Sequence, residues 1–350
     1  MHALRETLKR MTEEHGTLTR EEAHAVLHAI LTSEADAAAD QAIAALLAVM
    51  AARGETVEEL TGFAEAMREM SLPVPLTEEE RAVLVDTCGT GGDGRGTFNI
   101  STGAALVAAA AGAKVAKHGN RGMTSKCGSA DVLEAMGVPV AMTPAQSAEC
   151  LRATGFTFLY APALHPAMKR VQPIRRALGF RTIFNLAGPL TNPAGAPAQI
   201  MGVYAPEKLE VVAGAMALLG IRHGRVVHAR NGIDEIALSA TDTILVASPE
   251  PPVRTVVYPE DAGLAHAPLG HLQGAETAAG NAAILEAILA GADDGPRCDV
   301  VLLNSAAALE AAGLVRGLRE GVACAAEAIH SGAARKTLGA LRDFGNALGN

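Results

Sequence analysis

The chain lacks the cysteine patterns that mark disulfide-rich and zinc-binding proteins. Its cysteines form no CxxC pair, and no Cys/His cluster has zinc-ligand spacing. We therefore expect reduced thiols in a cytoplasmic protein. The five positions are Cys88, Cys127, Cys150, Cys298 and Cys324.

Long hydrophobic runs are also missing. The longest ones, residues 42–52 and 104–113, fall well short of the roughly 20 residues that a helix needs to cross a bilayer. The N-terminal MHALRETLKR has no apolar core of the kind found in signal peptides. These patterns favour buried helices in a cytoplasmic protein without a membrane partner.

Positive charge is scarce, because the formal net charge is -9 and the pI is near 5.7. This balance disfavours nucleic acid or an anionic membrane as the main partner. Hydrophobic residues make up 49% of the 350 residues and charged ones 19%, without a low-complexity tract. The composition indicates a folded protein with one large domain or two smaller ones.

Neither common phosphate-binding fingerprint occurs: GxxxxGK[ST] is absent, and the glycines do not follow GxGxxG. A P-loop NTPase and an ordinary dinucleotide site are therefore disfavoured. Instead, a short apolar run at 83–85 leads through Asp86 into a turn with glycines at 89, 91, 92, 94 and 96. Ser101 and Thr102 suit the N-cap of a following helix, whose free N–H groups and dipole favour a phosphate.

Cations follow in the next loop, at Lys114, Lys117, Arg121 and Lys126, before Gly128 to Asp131 open another helix. The block 83–136 thus holds two candidate anion-binding helix starts joined by a basic loop. One ligand with two phosphate groups would explain both. A second basic stretch, residues 161–206, contains no Asp or Glu, which suggests a small anionic ligand. A solvated helix face explains Lys169 and Arg170, but it explains less well an entire segment without acids.

Asp234 and Glu235 follow an apolar strand at 226–229, so they lie at the carboxyl end of that strand. Magnesium prefers oxygen ligands, and one or two carboxylates plus ligand phosphates make an ordinary site. An exposed, solvated acidic pair is the alternative. His165 is either a hydrogen-bonding or stacking group or a locally satisfied histidine, and the turn 188–193 is either a pocket wall or structural punctuation.

Hydrophobic periodicity predicts helices throughout residues 3–70, with Thr19 and Glu22 at capping-box spacing, and a linker near Pro73 and Pro75. Beyond it, strands alternate with helices, which predicts an α/β domain with a largely parallel sheet. The basic stretch 163–190 interrupts this alternation. The expected strands are 83–86, 114–117, 156–160, 199–204, 226–229 and 244–247, and the expected helices are 103–112, 130–136, 144–154, 207–220, 278–290, 299–312 and 318–330.

Taken together, several motifs closely resemble the anthranilate phosphoribosyltransferase family, in order and over nearly the whole chain. They are GTGGD (89–93), NIST (99–102), KHGNR (117–121), GSAD (128–131), RR (175–176), FNLAGPLTN (184–192) and DE (234–235).

This resemblance implies a small all-helical domain plus a large α/β domain with a mostly parallel sheet, of nucleoside phosphorylase/phosphoribosyltransferase type. Residues 1–72 with about 165–190 would form the small domain, for dimerisation and the anthranilate side. Residues 73–164 with about 191–350 would form the large one, for phosphoribosyl pyrophosphate and magnesium. A homodimer through the helical domain is implied.

The resemblance also implies site residues. Arg175, Asp234 and Glu235 would act in catalysis by positioning and electrostatics, without a clear general base. Ser101, Asp234 and Glu235 would hold Mg²⁺. Gly89, Asn120, His165, Arg175 and Pro189 would bind anthranilate. The implied phosphoribosyl pyrophosphate ligands are Gly89, Gly92, Asp93, Thr97, Asn99, Ile100, Ser101, Thr102, Lys117, His118, Gly119, Asn120, Arg121, Gly122, Met123, Thr124, Ser125 and Ser129.

The activity so implied is transfer of the phosphoribosyl group to the amine of anthranilate, the second step from chorismate in tryptophan biosynthesis. Residues 122–124 and Cys127 depart from the serine and small residues expected of the family's loop. Two alternatives stay open: a pyrimidine nucleoside phosphorylase, which gives no reason for the Asp234–Glu235 pair, and a non-enzymatic nucleic-acid-binding relative, which would need a broad basic surface.

Overall fold

The computed structural model describes residues 2–122 and 127–348, beginning with four helices as the sequence predicts. The predicted capping box at Thr19 and Glu22 is present, and Thr56 with Glu59 forms a second one. Such caps satisfy N–H groups at the helix start and fix where each helix begins. The helices are α1 (His2–Glu13), α2 (Arg20–Thr32), α3 (Ala37–Arg53) and α4 (Val57–Glu69).

Helices α2 and α4 cross closely because α4 carries Gly62 at the contact. A Cβ atom at this position would lie 2.2 Å from the carbonyl oxygen of Arg20. Glu59 is fully buried beside this crossing, where its Oε1 accepts a hydrogen bond from the Leu18 N–H at 3.0 Å and its Oε2 pairs with Arg53. The bundle therefore has a tight interior around one paired carboxylate.

A seven-stranded sheet forms the centre of the rest of the chain, in the order β3-β2-β1-β4-β5-β6-β7. The first five strands pair in parallel and the last two are antiparallel, so the sheet is mostly parallel as predicted. The strands are β1 (Leu84–Thr87), β2 (Lys114–Gly119), β3 (Phe156–Tyr160), β4 (Ala198–Gly202), β5 (His223–Ala229), β6 (Thr241–Ala247) and β7 (Glu250–Val257).

Strand β7 was not predicted from the sequence. It contains Pro251 and Pro252, and most of its side chains are exposed. Proline removes a ladder donor and is tolerated at a sheet edge, which is where β7 lies. Two adjacent prolines indicate a turn when the sequence is considered alone. A strand can form there because β7 lies at the edge of the sheet, where the missing N–H donors are tolerated.

Helices cover both faces of the sheet, as expected for parallel strands. The final helix, α16, and the short α5 were not predicted, whereas each predicted helix is present with bounds shifted by a few residues at most. The helices are α5 (Glu78–Ala82), α6 (Ile100–Ala110), α7 (Ser129–Ala135), α8 (Pro144–Thr154), α9 (Ala161–Leu164), α10 (Gln172–Leu178), α11 (Ile183–Ala187), α12 (Leu209–Leu218), α13 (Ala278–Leu289), α14 (Pro296–Ala311), α15 (Leu318–His330) and α16 (Ala333–Leu348).

The segment between β3 and β4 packs against the N-terminal bundle. Helix α10 contacts α3, and α11 contacts α4. Arg170 forms an ion pair with Asp40 at 2.6 Å and donates from Nε to the Ser33 carbonyl at 3.2 Å. These contacts favour grouping residues 165–190 with residues 1–72, and that domain division stays a prediction. Within the described ranges, every helix is too short or too polar to span a bilayer.

Candidate active site

The site lies where the order of the parallel strands reverses. From β1 the chain proceeds outward through β2 and β3, and β4 then lies on the other side of β1. In open α/β sheets, ligands bind at the carboxyl ends of the strands at such a switch point. The loops that follow β1, β4 and β5 meet in this crevice.

The glycine-rich loop after β1 is tied to the neighbouring strand ends. Thr90 donates from its N–H to the Gly202 carbonyl at 2.9 Å, and the Gly91 N–H donates to Asp234 Oδ2 at 2.8 Å. Gly91 and Gly92 have φ values of 63° and 77°, in the left-handed region that favours glycine. A Cβ atom at Gly89 would lie 3.0 Å from Asp234 Oδ2. The absence of side chains thus lets the loop approach the acidic pair.

Asp234 and Glu235 face the main chain of two different elements. Beyond the Asp234 contact with the glycine-rich loop, Glu235 Oε1 accepts a hydrogen bond from the Ser101 N–H in the first turn of α6, at 3.2 Å. Asp93 Oδ2 accepts one from the Asp234 N–H at 3.4 Å. The structure therefore brings the glycine-rich loop, the helix start and the acidic pair into one crevice.

The acidic pair has strongly perturbed acidities. Burial, followed by the charge of Asp93, raises the pKa of Asp234 to about 7, and burial, followed by the charge of Asp234, raises the pKa of Glu235 to about 8. Carboxylates that repel each other in a poorly hydrated site gain stability from a bound cation. This electrostatic arrangement suits Mg²⁺.

Two residues outside the motifs hold the acidic pair in place. At Gly202 a Cβ atom would lie 1.5 Å from the Asp234 carbonyl oxygen, so the loop after β5 passes directly over the end of β4. Asn304 of α14 donates to the Ile236 carbonyl at 2.8 Å and accepts from the Ile236 N–H at 3.1 Å. Sequence reasoning missed Asn304, although a buried amide in the apolar stretch 300–309 was a visible signal.

Helix α6 does not begin as the sequence predicted. It starts at Ile100, so Ser101 and Thr102 lie in its first turn and the prediction that they form the N-cap was wrong. Asn99 takes the N-cap position without a side-chain capping bond, and the distant Glu235 accepts from the Ser101 N–H instead. Ile100 and Thr102 are 0% and 1% exposed as whole residues, so neither residue reaches the surface of the crevice in this structure.

Lys117 lies beneath the crevice. Its side chain is buried, and its Nζ donates to the Thr87 carbonyl and to Ser101 Oγ, the latter at 3.3 Å. Burial lowers the pKa of Lys117, while the nearby carboxylates Asp86 and Glu235 oppose this shift. The charge of Lys117 therefore interacts with the carboxylates of the site from the buried floor of the crevice.

The second predicted loop meets the start of α7. Arg121 pairs with Asp131 at 3.0 Å and with Glu134 at 2.7 Å, so its guanidinium is engaged with α7. The Asn120 carbonyl accepts from Ser129 Oγ at 3.3 Å. The predicted ligands Met123, Thr124 and Ser125 lie outside the described residues, as does Lys126.

His118 lies near the end of β2, and His165 and Arg175 lie in the segment between β3 and β4. The two histidine rings are buried, with centroids 5.1 Å apart. Burial lowers the pKa of His165 to about 4 and that of His118 well below its usual value. The Arg175 guanidinium lies over the Phe184 ring at 5.1 Å, and burial lowers its pKa. Among the described residues, no carboxylate pairs with Arg175.

Pro189 belongs to the short helical turn Gly188–Thr191 in the same segment between β3 and β4. Its carbonyl accepts from Gln199 Nε2 at 2.7 Å and from Cys88 Sγ at 3.4 Å. Cys88 directly precedes the glycine-rich loop, so the turn lies beside the start of that loop. Asn192, at the end of the turn, donates to the buried Asp86 at 2.9 Å. Sequence reasoning did not identify this supporting role of Gln199 and Asn192.

The chain matches two family models, the helical bundle domain of a glycosyl transferase family over residues 5–71 and its a/b domain over residues 81–335. A protein of Symbiobacterium thermophilum named anthranilate phosphoribosyltransferase is 50% identical over 342 residues, which are 97% of this chain and 98% of the relative. The chain belongs to the anthranilate phosphoribosyltransferase family. The resemblance seen in the motifs is thereby confirmed.

Solved structures of the family have the same fold. Anthranilate phosphoribosyltransferase from Thermus thermophilus superposes with a TM-score of 0.90 at 41% identity, covering 99% of this chain and 100% of that one. The Saccharomyces cerevisiae enzyme, solved in complex with PRPP and Mg, has a TM-score of 0.89 at 28% identity, with 99% and 98% coverage. The expected small helical domain plus mostly parallel α/β domain is therefore confirmed.

Proposed function

We propose that the chain transfers the 5-phosphoribosyl group of phosphoribosyl pyrophosphate to the amine of anthranilate, giving N-(5-phosphoribosyl)anthranilate and pyrophosphate in tryptophan biosynthesis. One observation carries this proposal: the acidic pair contacts both Gly91 in the glycine-rich loop and Ser101 at the start of α6. The glycine-rich loop, the start of α6 and two carboxylates that suit a cation thus converge at one point.

The donor side of this proposal uses main-chain groups together with a metal ion. Asp234, Glu235 and the Ser101 hydroxyl supply oxygen atoms of the kind that Mg²⁺ prefers. Among the described residues, no three His, Cys, Asp or Glu side chains are grouped to hold a metal alone, so the remaining ligands would come from the substrate and water. When bound, Mg²⁺ neutralises charge on the leaving pyrophosphate.

The acceptor side uses the groups on the opposite wall. Arg175 forms no ion pair with a carboxylate among the described residues. It suits the carboxylate of anthranilate, since guanidinium–carboxylate hydrogen bonds are strong and directional. His165 stays neutral near pH 7 because burial lowers its pKa to about 4. It therefore offers a neutral ring as a hydrogen-bonding partner, beside Gly89, Asn120 and Pro189.

The reaction requires positioning more than proton transfer. The bond between C1 of the ribose and the pyrophosphate oxygen breaks, a bond from C1 to the anthranilate nitrogen forms, and a proton leaves the nitrogen to water. Amide donors held in place for the leaving group stabilise its charge, and a fixed acceptor removes the entropic cost of encounter. This chemistry agrees with a site that offers no evident general base.

A homodimer formed through the helical domain and a cytoplasmic location belong to the same proposal. The resemblance supports the dimer, and the free thiols of Cys88, Cys150, Cys298 and Cys324 support a reducing compartment. Light scattering of the purified chain tests the dimer directly. A monomer at micromolar concentration would contradict it.

The activity is tested by following anthranilate fluorescence with purified protein, Mg²⁺ and phosphoribosyl pyrophosphate. We expect consumption of anthranilate that depends on both the donor and the metal. Parallel reactions with inorganic phosphate and either thymidine or uridine test the phosphorylase alternative. Phosphorolysis without anthranilate consumption would overturn the proposed function.

A further inference from the structure

Arg181 lies between α10 and α11 and contacts the glycine-rich loop from the opposite wall. Its Nη2 donates a hydrogen bond to the Gly92 carbonyl. Its guanidinium also lies over the Tyr204 ring, 4.3 Å from the centroid. The side chain is exposed, yet both its polar end and its planar face have partners. Two contacts therefore restrain this long side chain.

Tyr204 is connected to the same loop by its main chain. Its N–H donates to Thr90 Oγ1 at 3.0 Å, and the Thr90 N–H donates to the Gly202 carbonyl at 2.9 Å. The first half of the glycine-rich loop is thus attached to the end of β4 through Thr90 and to the segment 179–183 through Arg181. Tyr204 takes part in both attachments.

The other end of the Arg181 segment reaches the acceptor side. Thr182 is the N-cap of α11, and its N–H donates to Asn185 Oδ1 at 3.0 Å. Phe184 in that helix packs against the Arg175 guanidinium, which lies 5.1 Å from the ring centroid. Only two residues separate Arg181 from Phe184. The donor loop and Arg175 therefore hold opposite ends of one short, capped segment.

We propose that Arg181 is a positioning residue that couples the glycine-rich loop to Arg175, so that donor and acceptor each strengthen the binding of the other. This inference rests on the proposed function. When the donor orders Gly92, the Arg181 contact also orders the segment that carries Phe184, and the Arg175 guanidinium is held for the acceptor. By linkage, the same contact must act in the reverse direction.

The kinetic test compares Arg181→Met with Lys169→Met. The second variant also removes an exposed cation from the segment between β3 and β4, so it is a matched control. Initial rates are measured with both substrates varied. For Arg181→Met we expect the KM for phosphoribosyl pyrophosphate to rise about tenfold, with kcat at saturation within about twofold. The KM for anthranilate should no longer fall as the donor concentration rises, whereas Lys169→Met should behave as wild type.

Two further variants separate the contacts. Tyr204→Phe keeps the ring under the guanidinium and should resemble wild type, whereas Tyr204→Leu should resemble Arg181→Met. Arg181→Lys keeps a donor and a charge but not the planar fork, so it should recover part of the coupling. If Arg181→Met retains the wild-type dependence of the anthranilate KM on donor concentration, the inference is wrong.

A measurement without substrates distinguishes this inference from the proposed function. We expect hydrogen exchange at residues 89–96 to be faster in Arg181→Met and Tyr204→Leu than in wild type and Lys169→Met. Unchanged exchange would overturn the role of Arg181 even in an active enzyme. If the wild-type chain has no transferase activity, the proposed function fails by itself, while exchange still decides whether Arg181 holds the loop.

Discussion

The two walls of the crevice satisfy their polar groups in opposite ways. On the donor side, Asp234 and Glu235 accept hydrogen bonds from the amides of Gly91 and Ser101. On the acceptor side, neither ring nitrogen of His165 reaches hydrogen-bond geometry with a protein atom among the described residues. The acidic pair is thus held by hydrogen bonds within the fold, whereas the buried His165 ring has no such partner among the described residues.

This difference predicts that substitutions on the two walls will affect different functional properties. Buried polar groups are usually paired, and the exceptions call for a physical explanation. In binding pockets, a few well-placed polar groups on an apolar wall fix the orientation of the ligand. Changes to the donor wall should therefore disturb metal binding, phosphate binding and catalysis together. Changes to the acceptor wall should weaken anthranilate binding strongly and donor binding only slightly, through the Arg181 contact.

The largest expected effect comes from Gly202→Ala. The added Cβ atom would meet the Asp234 carbonyl oxygen, since the ideal position is 1.5 Å from it, so the acidic pair must move. We expect kcat/KM to fall by about 100-fold or more, because displacement by about 1 Å at a reacting site has effects of this size. Gly339→Ala in α16, with no atom near the added Cβ, is the matched control. Wild-type kinetics in Gly202→Ala would show that activity does not require close packing of Asp234 against the end of β4.

Removal of one donor-side charge should have the next largest effect. In Asp234→Asn the magnesium concentration for half-maximal activity should rise by about tenfold or more, because Mg²⁺ prefers charged oxygen ligands. A magnesium titration of activity measures it. Glu210→Gln removes an exposed acid that pairs with Arg254 and should leave the titration unchanged. An unchanged titration in Asp234→Asn would remove this residue from the metal site.

Arg175→Ala should separate the two walls. We expect the KM for anthranilate to rise about tenfold and the KM for phosphoribosyl pyrophosphate to stay within about twofold, because a charge-assisted hydrogen bond to the acceptor carboxylate is lost. Steady-state kinetics at saturating co-substrate measure both values. Lys169→Ala controls for loss of a cation on the same segment. An equal rise in both KM values would contradict the division into two walls.

A separate effect, on stability rather than on catalysis, is expected at acid pH. Burial lowers the pKa of His165 to about 4, so the unfolded chain takes up a proton below about pH 6.5 that the folded chain does not. Its stabilising contribution is therefore full above pH 6.5 and is lost as pH falls toward 4, up to about 3 kcal/mol.

Urea unfolding at pH 7 and pH 4.5 measures this contribution. In His165→Asn the free energy of unfolding should depend less steeply on pH than in wild type. His266→Asn, at an exposed histidine, should keep the wild-type dependence. Equal dependence in all three proteins would show that the His165 ring is protonated as easily in the folded chain.

Local patterns predicted the parts of the fold that short-range chemistry determines. Thr19 and Glu22 are three residues apart and form their capping box within one helix turn. The alternation of strands and helices likewise predicted a parallel sheet, and the carboxyl ends of β1 and β5 follow from it. The glycine-rich loop and the acidic pair lie in one crevice because the carboxyl ends of parallel strands meet at the same edge of the sheet.

What sequence reasoning missed depends on residues distant along the chain. The first turn of α6 is capped by Glu235, 134 positions away, so a search for a local N-cap chose Ser101 and Thr102 wrongly. Asn304 acts on Ile236 across 68 positions. Such contacts can be predicted only once the order of the strands is known. The resemblance named candidate site residues, but it did not explain which neighbouring residues hold them in place.

Strand β7 has a consequence for how copies of this chain can associate. Successive N–H groups along a strand point to opposite sides, so one of the adjacent Pro251 and Pro252 leaves a missing donor on the outer rim of the sheet. A strand from another molecule would find an incomplete ladder there. This edge of the sheet is therefore a poor template for pairing with a strand of another copy.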